Sequence, residues 1–118
     1  MKTSSAKAKG RRLQHWAAAA LRYRFCRKDD PDRKLSGDDI GVAVMGESGV
    51  DIKLSPLAKT VIPFDIECKN TETASPWAWM KQAKANTGEG RMPCVVFTRN
   101  REGDVYAMVR FEDLLRLL

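Results

Sequence analysis

The clearest hydrophobic pattern along the chain lies at residues 62–70, where Ile62, Phe64, Ile66 and Cys68 alternate with Asp65, Glu67 and Lys69. A period of two predicts a half-buried strand with one apolar and one charged face. Upstream, Leu13, Trp16, Ala17, Ala20, Leu21 and Phe25 recur at helical spacing, and the alanine run from Ala17 to Ala20 is strongly helix-forming. A helix is predicted from Lys9 onward, stopped by Asp29, Asp30, Pro31 and Asp32. Residues 1–8 are polar and basic without periodicity, which predicts a flexible tail ahead of a single domain at 9–118. Residues 28–49, with Gly37, Gly41, Gly46 and Gly49, predict a long polar connection holding at most a short element at 40–44.

Residues 50–54 predict a short strand that Ser55-Pro56 breaks, and its closeness to the 62–70 strand predicts an antiparallel hairpin between the two. Ser75 as N-cap and Pro76 at the first helical position predict a helix over 76–86 ending near Gly88. Its buried face is expected to hold Trp77, Met80 and Ala83, with Trp79 at the surface or an interface. A second apolar strand is predicted at 93–98, a turn at 99–104, a return strand at 105–110 and a terminal helix at 111–118. The order is αββαββα, and the crossover helix makes the second and third strands parallel neighbours. The expected class is α/β, a small mixed sheet flanked by helices.

Composition narrows the class. The chain has 118 residues, 43% hydrophobic and 31% charged, as in a soluble globular domain. No apolar run approaches the ~20 residues of a membrane span, and the Lys-rich start lacks a signal-peptide core, which predicts a cytoplasmic protein. Cys26, Cys68 and Cys94 are too scattered for a zinc site or a disulfide frame and read as reduced thiols. The net charge of +6 is uneven: residues 1–34 hold eleven Lys or Arg against three Asp, and the rest ten basic against twelve acidic residues. A cationic front on a near-neutral body points to a polyanion, above all nucleic acid.

The charged face of the 62–70 strand carries the candidate chemistry. Asp51 and Glu67, brought together by a hairpin, offer carboxylate oxygens to a hard cation such as Mg²⁺, and the carbonyl of Cys68 adds a third oxygen. A cation there acidifies water and neutralises charge on a phosphate. Lys69, two residues beyond Glu67, can reach the nucleophile or the scissile phosphate. Gln82 follows on the crossover helix. Other residues keep two readings. His15 is a surface or DNA-facing residue or a general base; Asp65 is an outer carboxylate or a solvated strand start. Glu47 is a further acid near the site; Asp38 and Asp39 compete with Asp51 as the first acid. Trp77 is a core or base-stacking residue, and Trp79 a surface, interface or base-stacking one. Arg99 and Arg101 are phosphate contacts or a charged turn.

With Asp51, Glu67 and Lys69 in this context, the chain resembles the PD-(D/E)xK nuclease superfamily, and within it the small archaeal and phage Holliday-junction resolvases, over roughly residues 7–118. Val50 stands where the motif name has proline. Ser48-Gly49 is similar to a Ser-Gly before the first acid of cellular resolvases, and Lys9-Gly10 resembles the opening of their first helix. Four residues after that glycine the resolvases carry a glutamate, and this chain has Gln14, which brings no charge to a second metal. Gln82 matches a glutamine often found after the Glu-x-Lys strand. The resemblance implies a restriction-endonuclease-like core and a Mg²⁺-dependent endonuclease, with Mn²⁺ as a substitute. It further implies phosphodiester hydrolysis by metal-activated water, a homodimer acting on branched DNA in recombination, and a phage or other mobile genome. Asp51, Glu67, Lys69 and Gln82 would be catalytic, with Asp51, Glu67 and the Cys68 carbonyl on the metal. Lys7, Lys9, Arg11, Arg12, Ser48 and Arg99 would touch DNA. The same scaffold suits a homing, restriction or repair endonuclease, and the contrasting reading is a non-catalytic nucleic-acid-binding module with Glu67 and Lys69 as a strand ion pair.

Overall fold

The structure, a computed structural model, describes residues 3–44 and 46–118. Its elements in chain order are helix α1 (Thr3–Phe25), a 3-10 turn (Gly37–Asp39), strands β1 (Ile40–Val42) and β2 (Ile52–Leu54), helix α2 (Pro56–Val61), strand β3 (Phe64–Asn70), helix α3 (Pro76–Asn86), strands β4 (Met92–Thr98) and β5 (Tyr106–Val109), and helix α4 (Phe111–Leu117). The α/β class holds, with two small sheets in place of one: an antiparallel β1-β2 ribbon and a three-stranded sheet ordered β3-β4-β5.

β3 and β4 pair in parallel, with Glu67 opposite Val95 and Lys69 opposite Phe97. This is the crossover relation expected of strands joined by α3. β5 returns antiparallel to β4. The two faces of the sheet take different partners. Ile66, Cys68 and Cys94 join Leu13, Ala17 and Ala18 of α1 and Ile40 and Ile52 of the ribbon in the larger core. Val95 packs with Trp79 and Ala83 of α3 on the opposite face, against Phe97 and Met108. The alternation along β3 is therefore real, but its charged face lies beneath α3 instead of facing water.

Several expectations are corrected. The hairpin partner of β2 is β1, with Val42 opposite Ile52 and Ile40 opposite Leu54. Arg22 of α1 holds the ribbon by donating to the Ile40 carbonyl from Nε at 3.1 Å and from its terminal nitrogen at 2.8 Å. Between β2 and β3, Ser55-Pro56 starts a helix instead of merely ending a strand: Ser55 Oγ accepts from Ala58 N at 3.0 Å, satisfying an otherwise unpaired first-turn amide. α1 begins at Thr3 rather than Lys9. Ala6, Lys7 and Ala8 have high helix propensity, so the helix extends without needing an apolar face; Met1 and Lys2 lie outside the described residues.

Two tryptophans also change places with smaller or neighbouring residues. Trp16 is 54% exposed while Ala18 is fully buried, because the buried face of α1 runs through Leu13, Ala17 and Ala18 with Leu21 and Phe25 against it. Trp77 is 89% exposed and Trp79 is buried. Residues two apart on a helix point roughly 200° apart at 3.6 residues per turn, so only one can face inward. Phe97 sits 5.5 Å from the Trp79 ring and takes that partner.

Candidate active site

Asp51 sits where the two sheets meet. Its N–H donates to the Ile66 carbonyl of β3 at 3.2 Å, and its own carbonyl accepts from Ala43 N beyond β1 at 2.8 Å. Its carboxylate then accepts from the Cys68 N–H at 2.7 Å. Gly49, at φ 95°, supplies the left-handed turn just before it, a conformation that costs a glycine little. The main chain of one residue is thus held from both sides, and its side chain is fixed along the outer edge of β3. The N–H and C=O of a strand residue leave the same edge. The Cys68 carbonyl therefore faces the Asp51 side, away from the β4 ladder.

Glu67 is buried. Asn86 of α3 donates to its Oε1 at 2.8 Å. Burial is the main force raising its carboxyl from 4.5 to about 7, and Asp51 adds to it by its charge and by a shared hydrogen bond; Asn86 and Lys69 pull the other way. The two carboxylates adjoin, and their crowding favours the protonated form of Glu67. Cys68 itself is no thiolate ligand: burial, then the charges of Asp51 and Glu67, push its thiol up to about 12. The group it can offer to a cation is its main-chain carbonyl oxygen.

α3 runs back along β3 and meets Lys69 and then Glu67, and the turn after it meets Asp65. Lys69 Nζ donates to Gln82 Oε1 at 2.8 Å, Glu67 accepts from Asn86, and Asp65 accepts from Gly88 N at 2.9 Å. From Lys69 to Glu67 the steps match, since two strand residues advance ~7 Å and the four helical residues from Gln82 to Asn86 advance ~6 Å. Asp65 is spoken for structurally. Arg91 Nε donates to it at 2.6 Å, and the same guanidinium caps the carbonyls of Ile62 at 2.6 Å and Phe64 at 2.9 Å. Asp39 is likewise occupied, accepting from Ser55 Oγ at 2.6 Å and Ser36 N at 2.8 Å, which leaves Asp51 as the acid beside Glu67.

Gln14 lines an open cleft of about 420 Å³ together with Asp51, Glu47, Lys7 and Arg11. Its Oε1 is buried without a hydrogen-bond partner among the described residues. A water or a bound ion can satisfy such an acceptor, and this one lies in the cleft of Asp51. Among the described residues no three His, Cys, Asp or Glu side chains gather. Asp51, Glu67 and the Cys68 carbonyl offer an oxygen set that fits a hard divalent cation keeping waters of its own, and the Gln14 amide oxygen stands in the cleft beside Asp51. Glu47 pairs with Lys53 at 2.8 Å at the rim.

The expected DNA contacts divide. Lys7, Arg12, Ser48 and Arg99 are exposed and Arg11 is half-buried, whereas Lys9 is buried and its ammonium lies 3.9 Å from Glu72. Arg99 is paired with Glu102 at 3.3 Å. His15 is exposed on α1. Asn86 was missed by sequence reasoning; its position four residues after Gln82, one helical turn on, is the signal that places both beside β3. Among the described residues, no helix is long and apolar enough to cross a membrane. The chain matches no family model, no curated protein and no solved structure.

Proposed function

We propose that the chain is a metal-dependent DNA endonuclease of the PD-(D/E)xK kind, with a restriction-endonuclease-like core, which hydrolyses phosphodiester bonds in branched DNA as a Holliday-junction resolvase does. One observation carries the reading: Asp51, tied by backbone and side chain to the edge of β3, sets its carboxylate against buried Glu67. Two carboxylates crowded so that one is raised to about 7 favour a positive charge between them. A divalent cation held by Asp51, Glu67 and the Cys68 carbonyl supplies Lewis acidity toward a phosphate oxygen and lowers the pKa of water.

The chain's own groups do the rest. Gln82 accepts from the Lys69 ammonium through its amide oxygen and so positions Lys69 to donate to a phosphate oxygen or to orient the attacking water. Asn86 fixes the Glu67 carboxylate through one oxygen and leaves the other for the site. Gln14 presents a neutral oxygen to the same cleft. Lys7 and Arg11 on its wall attract the DNA backbone. A homodimer supplies two such sites related by a two-fold axis, as paired nicks across a four-way junction require.

The test offers four-way junction, flap, linear duplex and single strand side by side, in Mg²⁺, in Mn²⁺ and in EDTA. The expected result is metal-dependent nicking of the junction, falling by roughly 10²-fold or more in Lys69→Ala, in line with loss of one preorganised donor to the transition state. Cleavage by Lys69→Ala at the wild-type rate overturns the mechanism. Metal-independent DNA binding with no cleavage of any substrate leaves a non-catalytic nucleic-acid-binding module.

A further inference from the structure

A second concave site lies at the carboxyl-terminal ends of β3 and β4, and the carboxylate pair does not use it. It encloses about 250 Å³, less than the ~300–1,000 Å³ of pockets for drug-sized ligands. Its walls are Trp79, Phe97 and Tyr106, whose rings step outward at centroid separations of 5.5 and 5.7 Å. Trp79 is buried and Tyr106 is 45% exposed, so the inner ring is held while the outer one offers open π surface. The rim is polar. Glu102 accepts from Arg99 Nε at 3.3 Å and from the Tyr106 hydroxyl at 2.9 Å. The Arg99 side chain is 61% exposed and has further N–H groups beyond the one Glu102 takes.

The position of this cavity matters as much as its lining. Phe97 is the register partner of Lys69, one strand spacing away at ~4.8 Å. Trp79 lies one turn before Gln82 on α3. The aromatic walls therefore begin one strand over from Lys69 and one helical turn from its partner Gln82, within a nucleotide's reach. Flat rings with an acceptor and a donor at the edge suit a flat heteroaromatic ring. Every base offers a π-face to stack, a carboxylate accepts from exocyclic amino groups or, in thymine, from the ring N–H, and a guanidinium donates to ring carbonyls and nitrogens. A base stacked inside a duplex cannot enter. We propose that this cavity takes up one unpaired or extruded nucleobase of the strand whose phosphate lies at Lys69. The inference rests on the endonuclease reading for its substrate and deepens it: the preferred DNA carries an unpaired base next to the cut.

The experiment uses the full chain with Trp16→Phe and Trp77→Phe, which leaves Trp79 as the one tryptophan of the three in the sequence. In EDTA, its fluorescence is followed while adding an oligothymidine or a backbone of equal length built from abasic residues. The expected result is quenching by the oligothymidine and binding about tenfold tighter than the abasic strand, within the range of one stacked base. Tyr106→Ala should bring the oligothymidine to the abasic level while leaving the abasic affinity unchanged. Tyr106→Phe, which keeps the ring and loses the hydroxyl, should retain the preference and guards against misfolding in the alanine variant. Equal binding of the two strands, or a base preference that survives Tyr106→Ala, overturns the pocket. Cleavage in Mg²⁺ is scored separately with Lys69→Ala. Lys69-dependent cleavage without base preference refutes the pocket alone, and base preference without cleavage refutes the endonuclease alone.

Discussion

At the residue scale, Glu67 carries opposite consequences for stability and for chemistry. Its carboxyl is lifted from 4.5 to about 7 in the folded chain, first by burial and then by Asp51. The folded state thus prefers the protonated form, and the group's contribution is favourable at low pH and lost as pH rises through about 7. A lift of that size corresponds to about 3 kcal/mol. Glu67→Gln keeps the shape and removes the charge. Its stability should match the wild type near pH 4 and exceed it by up to about 3 kcal/mol at pH 8, read from urea melts across that range. The ionised carboxylate is also what a cation would relieve. Mg²⁺ should raise the melting temperature of the wild type at pH 8 and leave Glu67→Gln nearly unmoved, because a ligand that binds only the folded state stabilises it by mass action. Parallel stability curves for the two proteins, with equal responses to Mg²⁺, would refute a strained carboxylate pair at this position.

At the scale of elements, legibility followed the range of the signal. β3 could be read because its alternation is local, and the parallel β3-β4 pairing followed from the crossover helix between them. The attachment of Asp51 could not be read. It rests on one backbone bond and one side-chain bond to β3, plus a ribbon partner of only three residues, none of which leaves a periodic trace. Ser-Pro occurs twice, and the stronger cap lies at the occurrence read as a mere break. Ser55 Oγ accepts from Ala58 N and donates to Asp39, whereas Ser75 makes no side-chain capping bond. α2 was hidden because its six residues are too few to show a helical period, and Thr60 and Val61 favour strands. Ser55→Ala should therefore cost about 1–2 kcal/mol through the lost cap, with Asp39 left short of a partner. Ser75→Ala should stay within about 0.5 kcal/mol of the wild type. Denaturant midpoints of the two variants compare them directly, and equal losses would mean that the α2 cap is not holding the Asp51 ribbon.

On the scale of the whole molecule, the charge read from composition becomes a located surface. The chain measures 45 × 30 × 29 Å, and α1, 23 residues long, spans ~35 Å at 1.5 Å per residue. Its first half brings Lys7 and Arg11 to the wall of the Asp51 cleft and leaves Arg12 exposed beside them, while Lys9 turns inward toward Glu72. Four basic residues that look alike in sequence thus have two different jobs, and salt separates them. Each Lys or Arg that meets a phosphate displaces condensed counterions, so the logarithm of the affinity falls with the logarithm of salt at a slope of about 0.9 per contact on duplex DNA. Replacing Lys7 and Arg11 together by alanine should weaken DNA binding regardless of sequence and make that slope shallower by about 2. Alanine is a strong helix former, so the double variant should keep its fold. Lys9→Ala should leave the slope where it was and lower stability instead, because it removes a packed side chain and strips Glu72 of its partner. Binding isotherms between low and moderate salt, set beside melts of the same proteins, give both readouts. A slope that falls for Lys9→Ala and not for the Lys7, Arg11 pair would place the DNA on another face of the molecule and separate it from the Asp51 cleft.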